Sequence, residues 1–166
     1  MGYTMALALR VLYPQAQITV IGRGREKLQY CSFADRLRLA AEDIPKNSFD
    51  CGFECVGGSA SQQAIDQMIT CVRPQGTLVL LGVSEEPVDL RTRTVLEKGL
   101  ALLGASRSGR EDFETALSII QRKKRVENYL KVIISQEVEI QSVQDIRQAF
   151  YTDTALPFKT VMRWNT

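Results

Sequence analysis

The sequence predicts an α/β fold, a mostly parallel sheet with flanking helices. Three observations carry that prediction. Short apolar runs alternate along the chain with segments of helical periodicity, the pattern of β-α-β crossovers. Three of those runs close on glycine at the same relative place, at Gly57-Gly58, Gly82 and Gly104. The chain has 166 residues, 45% hydrophobic and 24% charged, enough for one domain with its own core.

The elements follow in order. Residues 3–13 are apolar almost all round, which predicts a helix buried on most sides, ended by Pro14. Residues 17–22 are short and β-branched and read as a strand, and a helix is expected from Arg25 through residue 34. A short strand is expected at 37–39 and a clear apolar one at 49–56. Over 61–72, Ala64, Ile65, Met68, Ile69 and Val72 recur at spacings of three and four, so this segment is an amphipathic helix. A strand at 77–82, a helix at 92–98 and a strand at 100–104 complete the alternation. Ser108 with Glu111 has the spacing of a capping box, which predicts a helix with Phe113, Ala116, Leu117 and Ile120 on its inner side. After residue 121 a basic run, Arg122 to Arg125, leads to strands at 131–135 and 159–164, with a helix carrying Val143, Ile146 and Phe150 between them. The pattern change divides the chain into 1–121 and 122–166.

Composition restricts the chemistry. Histidine is absent, which excludes Ser/His and Cys/His nucleophile pairs, histidine metal ligands and an imidazole base within these residues. Cys31, Cys51, Cys55 and Cys71 show no C-x-x-C spacing and three of them lie in apolar patterns, so buried free thiols and a reducing cytoplasmic compartment are expected. A net charge of +2 argues against nucleic acid as a partner, and no stretch reads as a signal peptide or membrane span.

In an open parallel sheet the carboxyl ends of the strands form the ligand crevice, and glycine there lets a ligand approach the backbone. Gly57, Gly82 and Gly104 in register predict such a crevice. Where a dinucleotide fold usually carries an acid for the adenosine ribose, Gly22 is followed by Arg23, Arg25 and Lys27. Guanidinium groups bind a 2′-phosphate that a carboxylate would repel, which points to NADP(H) over NAD(H); the plainer reading is a solvated basic helix start. Residues 106–110, with Ser106, Arg107 and Arg110, form a cationic loop leading into a helix, suited to a substrate phosphate or simply to helix capping.

Segments 49–58 (FDCGFECVGG), 73–85 (RPQGTLVLLGVSE), 91–100 (RTRTVLEKGL) and 104–116 (GASRSGREDFETA) together resemble the cofactor-binding half of zinc-type medium-chain dehydrogenases. Within that superfamily they are most similar to the ribitol-5-phosphate dehydrogenases, or ribulose-5-phosphate reductases, of bacterial teichoic-acid and capsule pathways. The resemblance runs through the terminal FKTVMRW. It implies a Rossmann-type sheet and NADPH-dependent reduction of ribulose 5-phosphate to ribitol 5-phosphate, the precursor of CDP-ribitol. A cytidylyltransferase of the same pathway and a second copy of the chain, in a homodimer or other self-association, are the partners it suggests.

Carried over by position, Cys55, Val56 and Gly57 lie beside the cofactor, and Gly82, Val83, Ser84 and Ser106 approach the nicotinamide. Arg23 and Arg25, after Gly22, meet the 2′-phosphate, while Arg107 and Arg110 are candidates for the sugar phosphate. Gly2 corresponds to the third glycine of the G-x-G-x-x-G loop. The resemblance therefore implies that the first strand and the amino-terminal catalytic domain, with its zinc ligands, are missing, and that 122–166 is the segment that returns to that domain. On this expectation the residues flanking the first strand lack their common neighbour, and no catalytic or metal residue lies in the chain. Another NADP-linked polyol dehydrogenase, a methyltransferase using S-adenosylmethionine, and a non-catalytic fragment are the alternatives.

Overall fold

Strand pairing is parallel throughout. The computed structural model describes residues 1–164, with strands β1 (Thr19–Gly22), β2 (Arg36–Leu39), β3 (Phe49–Glu54), β4 (Val72–Leu80), β5 (Ala101–Gly104), β6 (Ile134–Ile140) and β7 (Lys159–Trp164). Three separate ladders result: β1 with β2, β3-β4-β5, and β6 with β7. Helix α3 (Ser61–Cys71) links β3 to β4, and α4 (Thr92–Lys98) links β4 to β5. This is the Rossmann-like alternation expected, and no ladder joins β1 to β3 among the described residues.

Helix α1 (Gly2–Leu12) buries Tyr3, Ala6 and Leu7, one stripe at spacings of three and four, rather than its whole circumference. It ends just before Pro14, whose ring disfavours helical geometry at the preceding residue. Arg10 in its last turn donates to the carbonyls of Phe33, Pro14 and Ala16 and to the Asp35 carboxylate (2.5 Å). Asp35 also accepts from the Ile18 N–H at 2.7 Å, and this bond, followed by the Arg10 guanidinium, holds its carboxyl below the usual range.

Two apolar cores form. Tyr3, Ala6, Leu7, Ile18, Cys31, Phe33 and Val126 make the first, with edge-on contacts of Tyr3 to Phe33 (5.2 Å) and to Phe158 (5.4 Å). Ile65, Ile69, Val72, Leu78 and Leu100 make the second, between α3 and the three-stranded sheet. Lys98 closes the end of α3: its Nζ donates to the carbonyls of Ile69 (2.6 Å), Thr70 (3.0 Å) and Val72 (2.8 Å). Burial lowers the pKa of this ammonium, and its place satisfies carbonyls that a helix end leaves without partners.

Several expectations are corrected. The helix from Arg25 is a single turn, α2 (Arg25–Leu28), because Cys31 and Phe33 reach the first core through turns rather than along a helical face. Helix α5 (Arg110–Arg122) is capped not by Ser108 and Glu111 but at Gly109, whose N–H donates to the Asp112 carboxylate at 2.8 Å. Its intended inner residues Phe113 and Leu117 are 64% and 57% exposed, and Ala116 is exposed too. The exposed basic run spans the end of α5 at Arg122 and the start of a helix that was not expected, α6 (Lys124–Lys131), whose Val126, Tyr129 and Leu130 share one face and pack on the first core. The strand expected at 131–135 begins only at Ile134, and α7 (Val143–Asp153) leaves Val143 and Phe150 exposed. Of the thiols, Cys31 and Cys71 are buried, Cys55 is half-buried and Cys51 is exposed; all are free.

Candidate functional site

The parallel register of β3, β4 and β5 brings the loops that follow them to one edge of the sheet. After β3, residues 55–58 turn sharply through Gly57 (φ 66°, ψ 177°), a backbone region open essentially to glycine alone. After β4, Gly82, Val83 and Ser84 run beside that turn. The Gly58 N–H donates to the Val83 carbonyl (2.8 Å) and the Ser84 hydroxyl to the Gly58 carbonyl (3.1 Å). A Cβ on Gly57 would stand 2.7 Å from the Val83 oxygen, so the approach of the two loops requires glycine there.

Glu54, the last residue of β3, joins the same two loops from beneath. It is 2% exposed, and its Oε1 accepts from the N–H groups of Val56 (2.7 Å) and Gly57 (2.9 Å), while Oε2 accepts from Gly82 N–H (2.9 Å). No lysine or arginine pairs with it among the described residues. Three backbone donors take the place of a counter-ion and of water. The sequence reading missed this residue, although an acid closing an apolar strand is the signal that could have found it.

Above the clamp the surface is apolar and open: Val56 is 51% and Val83 73% exposed. The start of α1 reaches the same edge, with a Cβ on Gly2 lying 3.7 Å from Cys55 Cβ. Burial pushes the Cys55 thiol up, and the amino terminus partly offsets this. Gly2, Cys55, Val56, Gly57, Gly82, Val83 and Ser84 are thus brought together. Ser106 and Arg107 lie in the exposed loop after the neighbouring β5, anchored by the Ala105 N–H to the Leu80 carbonyl (3.2 Å). Arg107 adopts a positive φ of 68°. Arg110 turns to its own helix and pairs with Glu114 at 2.6 Å.

Gly22, Arg23 and Arg25 lie at the carboxyl end of β1, in the other ladder. Arg23, Arg25 and Lys27 are exposed, and none of them pairs with a carboxylate among the described residues. A Cβ on Gly22 would lie 3.0 Å from the Leu28 side chain, so a larger residue there would require Leu28 to shift. Histidine is absent from the sequence, and among the described residues no three Cys, Asp or Glu side chains converge as zinc ligands would.

Parallel strands with paired glycine loops at their carboxyl edge make this a Rossmann-like unit, and a family model for zinc-binding dehydrogenases matches residues 35–122. The chain belongs to that zinc-binding dehydrogenase family. It is 43% identical over 99% of its length to ribulose-5-phosphate reductase 1 of Staphylococcus aureus, of which it covers 48%, and 44% identical to the ribulose-5-phosphate reductase of Streptococcus pneumoniae, again over 99% of its length and 47% of that protein. It spans about half the length of these curated relatives. Among solved structures it superposes on S. aureus TarJ in complex with NADPH with a TM-score of 0.94 at 42% identity, covering 99% of this chain and 52% of that one. L-idonate 5-dehydrogenase from Escherichia coli, at 22% identity and TM-score 0.79 over 97% of this chain and 46% of that one, shares the fold.

Proposed function

We propose that this chain is the NADPH-holding part of a reductase that converts ribulose 5-phosphate to ribitol 5-phosphate. The observation that carries the reading is the strand end at Gly22, where exposed Arg23, Arg25 and Lys27 stand with no carboxylate partner among the described residues, in a chain similar to proteins named ribulose-5-phosphate reductases. An unpaired basic cluster accepts a 2′-phosphate without first breaking an ion pair.

On this reading the residues have distinct tasks. Arg23 and Arg25 hold the 2′-phosphate; the backbone of Gly2, Cys55 and Gly57 lies along the dinucleotide. Val56 and Val83 flank the nicotinamide and exclude water from one of its faces, with Gly82, Ser84 and Ser106 beside it. When bound, NADPH supplies a hydride to the ketone carbon, and a proton completes the alcohol on its oxygen. Arg107 faces the sugar phosphate from its exposed loop, with Arg110 recruited away from Glu114.

These residues provide neither the proton nor a Lewis acid, so zinc and the proton donor belong to the part of the relatives' length that this chain does not match. Residues 1–121 carry the cofactor loops, and 122–166 are the segment that returns to the catalytic domain; within this chain Val126 joins the first core and Lys123 donates to the Val11 carbonyl. A cytoplasmic enzyme that self-associates and supplies a cytidylyltransferase in teichoic-acid or capsule synthesis completes the proposal. Titration with NADPH, followed by nicotinamide fluorescence, tests it. Saturable binding of NADPH but not of S-adenosylmethionine is expected, and binding of the methyl donor alone would overturn it.

A further inference from the structure

We infer that Glu54 is a positioning residue that locks the two nicotinamide-side loops at a fixed separation. The inference rests on the reading that these loops receive NADPH. Its basis is geometric: one buried carboxylate accepts from Val56 and Gly57 on one loop (2.7 and 2.9 Å) and from Gly82 on the other (2.9 Å). The two loops come from different strands, 28 residues apart between Glu54 and Gly82, and are also tied by the Leu81 and Gly82 N–H groups, which donate to the Glu54 backbone carbonyl (2.9 and 3.1 Å), and by the Gly58 to Val83 and Ser84 to Gly58 hydrogen bonds.

The clamp leaves no room for drift. A Cβ on Gly82 would collide with both Glu54 carboxylate oxygens and with the Gly57 nitrogen, so loop, strand end and acid fit only as they stand. Without a cation partner among the described residues, the charge of Glu54 is balanced by those three N–H dipoles. That charge-assisted pull on the backbone is what a neutral side chain of the same shape does not reproduce. Val56 and Val83, 51% and 73% exposed, lie on the two clamped segments, so the clamp fixes how far apart these two segments stand.

Glu54→Gln tests the role. Its amide keeps one acceptor oxygen but turns an NH2 group toward either Gly82 or the Val56–Gly57 pair, donor against donor. In the 166-residue chain without cofactor, the amide protons of Val56, Gly57 and Gly82 should lose their carboxylate-induced downfield shifts. Exchange at Val56 and Gly57 should accelerate at least about tenfold, with a smaller effect at Gly82, whose N–H also donates to the Glu54 backbone carbonyl, and the NADPH dissociation constant should rise about tenfold, with thermal unfolding still cooperative. Gly82→Ala, which leaves the acid in place and pushes the loops apart, should shift exchange and affinity in the same direction, and it decides the matter if E54Q does not fold.

Unchanged shifts and exchange in both variants would overturn the clamp. Faster exchange with unchanged NADPH affinity would overturn its positioning role. A wild-type chain that does not bind NADPH would instead refute the reading of the site, and the exchange data alone would then decide whether Glu54 fixes the loops.

Discussion

Replacing Arg23 and Arg25 together by alanine separates affinity for the 2′-phosphate from affinity for the rest of the dinucleotide. Both side chains are exposed and neither pairs with a carboxylate among the described residues, so no existing interaction offsets the loss. A hydrogen bond to a charged group contributes about 1.5–3 kcal/mol, and exposure to solvent brings each arginine to about 1–1.5 kcal/mol. The pair therefore contributes about 2–3 kcal/mol, and NADPH should bind about 30- to 150-fold more weakly to the double variant. NADH, which lacks the phosphate, should bind within about twofold of its original affinity. Nicotinamide fluorescence titrations with both nucleotides measure the ratio directly, and repeating them at high salt should reduce the wild-type preference, because exposed charges are screened. Equal weakening of NADPH and NADH would refute the reasoning: the arginines would then be acting on the fold or on a part common to both nucleotides.

Three further outcomes follow from the geometry. Lys98→Met removes the donor shared by the carbonyls of Ile69, Thr70 and Val72 and should lower stability by about 2 kcal/mol, read from denaturant midpoints at constant slope. Asp35, whose folded pKa lies below its ordinary value, stabilises the fold above that ordinary value, and the contribution is lost as pH falls through the folded pKa; Asp35→Asn should lower stability at neutral pH and flatten its decline in acid, seen in melting temperatures taken between pH 7 and roughly pH 2. Arg107→Ala and Arg110→Ala, introduced into an active enzyme that contains this chain, should each raise KM for the pentulose phosphate by about tenfold with kcat little changed, and unaltered KM values would remove both from the site.

The strands and the long amphipathic helix were legible because burial dictates their patterns. Ile65 and Ile69 recur at helical spacing and are buried, and α4 runs from Thr92 to Lys98 as expected, closed by Gly99 in left-handed geometry (φ 60°, ψ 43°). The single turn at Arg25 was not legible, because Leu28, Cys31 and Phe33 are equally apolar whether a helix or a chain of turns delivers them to the core. Helix α6 was hidden by its own charges: Lys124, Arg125 and Lys131 surround a face of Val126, Tyr129 and Leu130 whose period was there to be read. In α5 the period was read but its meaning was not, since periodicity marks an apolar face without saying what covers it. The glycines at the strand ends marked where the loops after β3 and β4 come together, at Gly57 and Gly82. Glu54 escaped because its partners include an amide 28 residues away, a pairing that only the register of β3 on β4 creates.

The separation of the first two strands from the next three has a mechanical consequence. A continuous ladder would make the two halves one plate, in which opening either end loads every hydrogen bond between them. Here the link consists of scattered bonds, such as Gln67 to the Ala40 carbonyl (3.0 Å), Asn47 to the Thr70 carbonyl (3.3 Å) and Cys71 to the Ile44 carbonyl (3.8 Å), together with the contact of Gly2 on Cys55. The first two strands and the next three are therefore joined through side-chain and loop hydrogen bonds rather than through a shared ladder. On the proposed reading, a dinucleotide held by Arg23 and by the Gly57 and Gly82 loops would add a bridge between the two ladders that no strand supplies.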